Sequence, residues 1–298
     1  MLWTLVRVFG LEAGFPLVPL MAFTPYAAIA ALLVAGVATA LRNWAAAAVA
    51  GLATLCLAIA VLPRAVGDGT VEAAGRETFT VLSANIHHGT AEAEALVDLV
   101  DRYEPDLLAI QELTPGFDRR LRLAGLDRQL PNEVLETRRG VSGSGIYSSL
   151  PMRKLTAPQV FAFRQPRAVL RLPDGRRFRV VDVHPYPPQS HHVEQWTAAL
   201  ESLPATGEGV PWVLVGDFNA TLDHSLLREI LDRGYRDAGD VAGEGLEPTW
   251  PADDWASRAP GVTIDHVLAD ERLGVVDYEV EELPGSDHRA VFAELAMP

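Results

Sequence analysis

Two uncharged apolar runs stand almost end to end near the start of this chain and constrain it more than any other feature. Ala22 to Leu41 is twenty residues without a charge, and Asn43 to Pro63 is twenty-one more. Either is long enough to cross about 30 Å of hydrocarbon as a helix. Only Arg42 and Asn43 interrupt them, so the pair reads as a helical hairpin with a tight turn, in which Gly36, Ala40, Ala47 and Gly51 allow close approach. A cleaved signal peptide has one apolar stretch of roughly 7–15 residues, and two spans in series exceed it. Residues 1–63 are therefore expected to be a membrane anchor of two to three hydrophobic helices. Residues 1–20 form either a third, shorter span or a helix lying at the interface, because Arg7 and Glu12 are costly at mid-membrane. The stretch RAVGDGTVEAAGRE (64–77) has no apolar period and reads as a linker to a domain over 78–298. The expected location is the cell membrane, multi-pass.

Charge and cysteine content narrow the rest. The 298 residues carry a formal net charge of −14, and the first 66 hold three arginines against Glu12 alone, so the acidity belongs to the remainder of the chain. So acidic a surface repels a polyanion, which argues against nucleic acid as a partner. Cys56 is the only cysteine, which excludes an internal disulfide framework and a thiolate zinc site.

Beyond residue 78 strand-like and helical patterns alternate. FTVLSANI (79–86), DLLAIQEL (106–113), GIYSSL (145–150), AVLRL (168–172), FRVVDVH (178–184), WVLVGDFN (212–219), TIDHVLA (263–269) and AVFAELA (290–296) read as strands. Helical faces recur over 91–104, 193–203 and 223–234, the last with Asp223 as cap and Gly234 as stop. Many strands with few intervening helices predict an α/β fold of two sheets packed face to face with helices outside.

The apolar strands repeatedly end in an acid, an amide or a histidine: Asn85, Glu112, His184, Asp217 with Asn219, Asp265, and Asp287 with His288. Singly, each is ordinary turn or surface chemistry, and Asp217-Phe218-Asn219 can simply cap backbone groups. Together they supply oxygen donors and imidazoles without thiolates, a set suited to a hard cation such as Mg²⁺ beside a phosphate ester. No G-x-x-x-x-G-K-[ST] loop is present, and Gly143-Ser144-Gly145 is not a G-x-S-x-G elbow, which removes nucleotide kinase and serine hydrolase readings.

The strings LSANI, IQEL, SGIYSS, VDVHP, GDFN, IDHVL and SDHRAV stand in the order found in the endonuclease/exonuclease/phosphatase superfamily, and the chain resembles its DNase I-like members over about 78–296. The resemblance implies a four-layer α/β sandwich of two mixed β-sheets flanked by helices. It also implies roles: Glu112 as principal Mg²⁺ ligand (Mn²⁺ as substitute) with Asn85 and Asp287 assisting, and Asp217 as the base for an attacking water. Asn219 would hold a phosphate oxygen or that nucleophile, His288 would contact the phosphoryl oxygens under the control of Asp265, and His184 would stabilise the leaving oxygen. Arg167 is the expected phosphate clamp, with Arg164 as the alternative.

The N-terminal pattern and HPYPP resemble a membrane-anchored actinobacterial branch of VanJ-type teicoplanin-resistance proteins. That resemblance implies an extracytoplasmic hydrolase of a lipid phosphate or pyrophosphate such as undecaprenyl pyrophosphate, with the bilayer as a partner. The alternatives are a tethered nuclease, a phospholipase C or sphingomyelinase-like phosphodiesterase, and a non-catalytic binding module. His87 and His88, just past a strand end, and Tyr147 read as background; Trp250 and Trp255 either rim a pocket or pack under a loop.

Overall fold

The structure is a computed structural model that describes residues 1–158, 163–252 and 260–298. Twelve strands are present among these residues: β1 Thr78–Asn85, β2 Leu107–Gln111, β3 Asn132–Glu136, β4 Ser144–Ser148, β5 Met152–Leu155 and β6 Arg167–Arg171, then β7 Arg177–Val183, β8 Trp212–Asp217, β9 Tyr235–Asp237, β10 Asp265–Asp270, β11 Gly274–Glu281 and β12 Ala290–Ala296. They form two six-stranded sheets, ordered β11-β12-β1-β2-β4-β3 and β5-β6-β7-β8-β10-β9. Both sheets are mixed. β1 runs parallel to β2 and β7 parallel to β8, while the other pairs are antiparallel.

Period-two alternation decides which side chains meet between the sheets. Phe79 and Val81 of β1, Leu107 and Ala109 of β2, Phe178 and Val180 of β7, and Val213 and Val215 of β8 belong to one buried core, with Phe79 stacked on Phe178 at 3.9 Å. The opposite faces pack on helices. Leu82, Leu108 and Ile110 meet the helices Ala93–Tyr103 and Pro115–Ala124. Val181, Val183 and Leu214 meet Val193–Glu201 and Ser225–Leu231. The order helix, sheet, sheet, helix is the expected four-layer sandwich. A polar bridge on Asp182 crosses the sheet interface below the strand ends: Gln111 Nε2 donates to Asp182 Oδ1 at 2.7 Å and Gly145 N to Asp182 Oδ2 at 3.0 Å.

The N-terminal region corrects an expectation. The helices Thr24–Ala40 and Trp44–Val61 form the hairpin, with Arg42 at φ +57 in the turn and Asn43 accepting from Ala46 N. Leu17–Ala40 and Trp44–Ala65 are long and apolar enough to cross a membrane by length and composition, a test that core helices and signal sequences also pass. Residues 1–20 add no third span. They form the helices Leu2–Phe9 and Leu17–Leu20, and the Arg7 side chain is buried on Asp223. The chain is an α/β sandwich carrying two apolar helices, not the multi-pass membrane protein that the uncharged runs led us to expect.

Candidate active site

The strand ends that the sequence singles out converge because they continue the inner-face rows of the core. Residues 79, 81, 83 and 85 share one face of β1, and 178, 180, 182 and 184 one face of β7. Residues 213, 215 and 217 do so on β8, and 269, 267 and 265 on β10. Where the apolar residues stop, Asn85, His184, Asp217 and Asp265 follow in the same direction. Asp217 and Asp265 are direct partners across the antiparallel pair β8–β10. Gly216 lets β8 approach β7 there: its φ is +136, and a Cβ would lie 2.3 Å from Val183 O.

Two carboxylates side by side in a buried setting need compensation. His288, from the loop before β12, reaches across from the first sheet to supply it. Its Nδ1 lies 2.9 Å from Asp265 Oδ2, and its Nε2 lies 3.8 Å from Asp217 Oδ2. Burial opposes the charged ring, but Asp265 and then Asp217 outweigh it, and the His288 pKa is raised to about 10. Asp217 itself is pushed up to about 7, by burial first and then by Asp265. On its other side, His184 Nε2 is also 3.8 Å from Asp217 Oδ2. Burial, followed by the charge of His288, lowers the His184 pKa to about 3, so this ring is neutral. Asn85 Nδ2 donates to Asp217 Oδ2 at 3.0 Å, and Asn219 N to Asp217 Oδ1 at 2.8 Å.

Glu112 and Asp287 stand on the more open side. Glu112 breaks the row of β2 by taking φ +58, a left-handed backbone that a non-glycine residue adopts at a cost and that recurs at functional sites. Its carboxylate accepts from His88 N. Asp287 accepts from Trp250 Nε1 at 3.2 Å and lies 3.5 Å from His87 Nδ1. Glu112, Asp217, Asn219, Asp287, His184 and His288 all line one cavity of about 430 Å³.

The donor set fits a divalent cation. Three carboxylates face one cavity, and among the described residues no lysine or arginine lines it. A bound cation stabilises such a cluster and an anionic ester beside it. One group of three possible ligands, Asp217, Asp265 and His288, has an oxygen or nitrogen from each within 4.8 Å of the others.

Most of the expected site residues are brought together, but Arg167 is not. Ala168 and Leu170 take the inner face of β6, so Arg167 points outward, where its Nη2 donates to Ser202 O at 3.1 Å. Arg164 lies 3.8 Å from Glu136 instead. Neither arginine lines the cavity. Tyr147 is also spent elsewhere, donating to Asp118 Oδ1 at 2.8 Å. Trp250 lines the cavity, and Trp255 lies outside the described residues. His87 and His88, read as background, both line the cavity; their position directly after the strand end at Asn85 was the available signal.

The profile of the Endonuclease/Exonuclease/phosphatase family matches residues 82–288. This chain belongs to that family. Membership and the three carboxylates that face the cavity, Glu112, Asp217 and Asp287, make it a metal-dependent phosphoesterase. No curated protein sequence matches the chain. Solved structures share its fold. A Beutenbergia cavernae endonuclease/exonuclease/phosphatase is 20% identical with a TM-score of 0.56, covering 74% of this chain and 72% of its own. The human Nocturnin catalytic domain with bound sulfate is 19% identical with a TM-score of 0.56, covering 79% and 99%. A Neisseria 3′ phosphatase bound to its product DNA hairpin is 19% identical with a TM-score of 0.53, covering 72% and 98%.

The last relative overturns the expectation, drawn from net charge, that nucleic acid is an unlikely partner. Net charge describes the whole surface, whereas a phosphate meets the local field of the site, which a bound cation dominates.

Proposed function

We propose that this chain hydrolyses phosphoric esters by in-line attack of water, with Mg²⁺ as its cation and Mn²⁺ as a substitute. One observation carries the reading: the Asp217 carboxylate lies 3.8 Å from both His184 and His288, facing a cavity that also holds Glu112 and Asp287. A base between two imidazoles, beside further oxygen donors, is an arrangement for taking a proton from water and stabilising charge on phosphorus-bound oxygens.

Glu112 and Asp287, with Asn85 beside them, are the residues we assign to the cation, because charged His288 already occupies the space between Asp217 and Asp265. When bound, the cation supplies charge stabilisation to the phosphoryl oxygens. Asp217 orients the attacking water and takes its proton, and Asn219 holds that water or a phosphate oxygen. His288, kept protonated by Asp265, donates to a phosphoryl oxygen. Neutral His184 stabilises the leaving oxygen with an N–H hydrogen bond, without giving up its proton.

Two substrate classes divide the reading. Nucleic-acid phosphoesters are supported by the DNA-bound relative. A phosphorylated lipid headgroup, of the polyprenyl pyrophosphate or phospholipid kind, is supported by the apolar side chains in the cavity, among them Phe163, Val262 and Ile264. Incubation of the full chain and Mg²⁺ with plasmid DNA, a 3′-phosphorylated DNA hairpin, undecaprenyl pyrophosphate, lysophospholipid and sphingomyelin separates them. Nicking or 3′-phosphate release selects the first class, and turnover of lipids alone selects the second. No hydrolysis of any ester with Mg²⁺ or Mn²⁺ overturns the proposal.

A further inference from the structure

The cavity is not built by the sandwich alone. Pro19, Ala22 and Phe23, from the segment before the apolar hairpin, line it together with Glu112, Asp217 and His288. This segment is fixed on both sides to loops that carry site residues. His224 Nε2 lies 3.0 Å from Val18 O, seven residues beyond Asp217, and Tyr26 Oη donates to Gly261 O at 2.7 Å, four residues before Asp265. Val18 is buried in the outer core of the second sheet.

Behind the segment sits a buried ion cluster. Asp223, expected as a helix cap, instead receives Arg7 Nε at 2.5 Å and Arg64 Nη1 and Nη2 at 2.9 and 2.8 Å. Arg228 adds bonds to Asp223 O and Arg7 O. Both ends of the N-terminal region, residue 7 and residue 64, thus close on one carboxylate in the loop after β8. An isolated carboxylate in that position is costly, and the two guanidinium groups compensate it with good geometry.

We infer that residues 19–23 are a wall of the active site that receives an alkyl group attached to the scissile phosphate, and that Asp223 with Arg7 and Arg64 holds this wall in position. The inference rests on the phosphoester reading above and develops its second substrate class. The occupant is set by continuity: the apolar wall and the phosphate-facing groups share one cavity of about 430 Å³, a volume suited to a small organic ligand. What lies against Phe23 is therefore a substituent of the same molecule whose phosphate lies against His288. Phe163, Val262 and Ile264 add further apolar surface to the same cavity.

Binding of hexyl phosphate and methyl phosphate to the full chain, measured by calorimetry with Mg²⁺, tests this without any need for turnover. Each buried methylene is worth roughly fourfold in affinity, so hexyl phosphate is expected to bind at least ~10-fold tighter than methyl phosphate. Phe23→Ser should bring that ratio toward one. Asp223→Asn should lower it as well, whereas a purely structural role would weaken both ligands alike and leave the ratio intact. A wild-type ratio near one, no binding of hexyl phosphate, or a ratio untouched by Phe23→Ser overturns the inference. Tighter binding of thymidine monophosphate than of hexyl phosphate assigns the wall to a nucleoside and overturns it too. Hydrolysis of other esters alongside any of these results leaves the phosphoester reading standing.

Discussion

The two sheets bring different halves of the site. The first contributes Glu112 and Asp287, whose side chains are 12% and 22% exposed; the second contributes His184, Asp217 and Asp265, all at 2%. The open half offers carboxylate oxygens to the cavity, where a hydrated cation and an ester can enter. Burial gives the other half shifted proton affinities: Asp217 rises to about 7 and His184 falls to about 3. The seam is crossed by residues of the first sheet, Asn85 and His288, both of which reach Asp217. On the proposed reading, ligand exchange and proton control sit side by side in one cavity, the first at its open side and the second at its buried side.

Damage to either half should read differently. On the open side, Glu112→Gln keeps one oxygen and the shape but loses the charge, and is expected to abolish turnover while leaving thermal unfolding unchanged. Retained activity in that variant would remove Glu112 from the cation site.

On the buried side the expected losses are partial. Asp265→Asn and His288→Ala should each lower kcat by roughly two to four orders of magnitude, the usual worth of such groups. Because the two act as a unit, the double variant should resemble the worse single one. Fully additive losses, or near wild-type kcat for Asp265→Asn, would show that the pair is not a catalytic unit.

A smaller effect sharpens the contrast. His88 is 53% exposed and its ring lies 3.8 Å from Glu112, so its contribution is screened. His88→Ala should cost about tenfold or less in kcat/KM, and a loss as large as that of His288→Ala would place the proton control in the open half instead.

The site's legibility in the sequence follows the same division. Strands that are central in a sheet were readable, because both faces are buried and the apolar run is continuous, as in WVLVGD. The four that the pattern does not announce, β3, β5, β9 and β11, are the four sheet edges. Edge strands carry charge in place of a second apolar face, as MRKL and NEVLE do, and so look like loops. The buried half of the site was legible because it extends inner-face rows by two residues. Arg167 stays outside the cavity for the same reason inverted, since it lies one position out of phase with Ala168 and Leu170. The role of the N-terminal segment was invisible, because Asp223 and Arg7 are 216 residues apart and only the fold joins them.

That ion cluster allows a prediction of smaller consequence for turnover. Burial disfavours the charged Asp223, but Arg64 and Arg7 prevail and its pKa is lowered. A carboxylate with a lowered folded-state pKa contributes stability that is present above about pH 4 and is lost as pH falls through the lowered value. Wild-type stability should therefore decline on acidification below pH 4, and Asp223→Asn should be destabilised by about 3–5 kcal/mol at neutral pH with a flatter acid limb. An equally steep acid limb in Asp223→Asn would assign the acid sensitivity to other carboxylates.

The central claim, that this two-sided site hydrolyses phosphoric esters only with a divalent cation, is tested most directly by turnover of bis(p-nitrophenyl) phosphate by the full chain before and after exhaustive chelation. The account predicts activity with Mg²⁺, its loss in chelator and its return when Mg²⁺ is restored; full activity in chelator would contradict it.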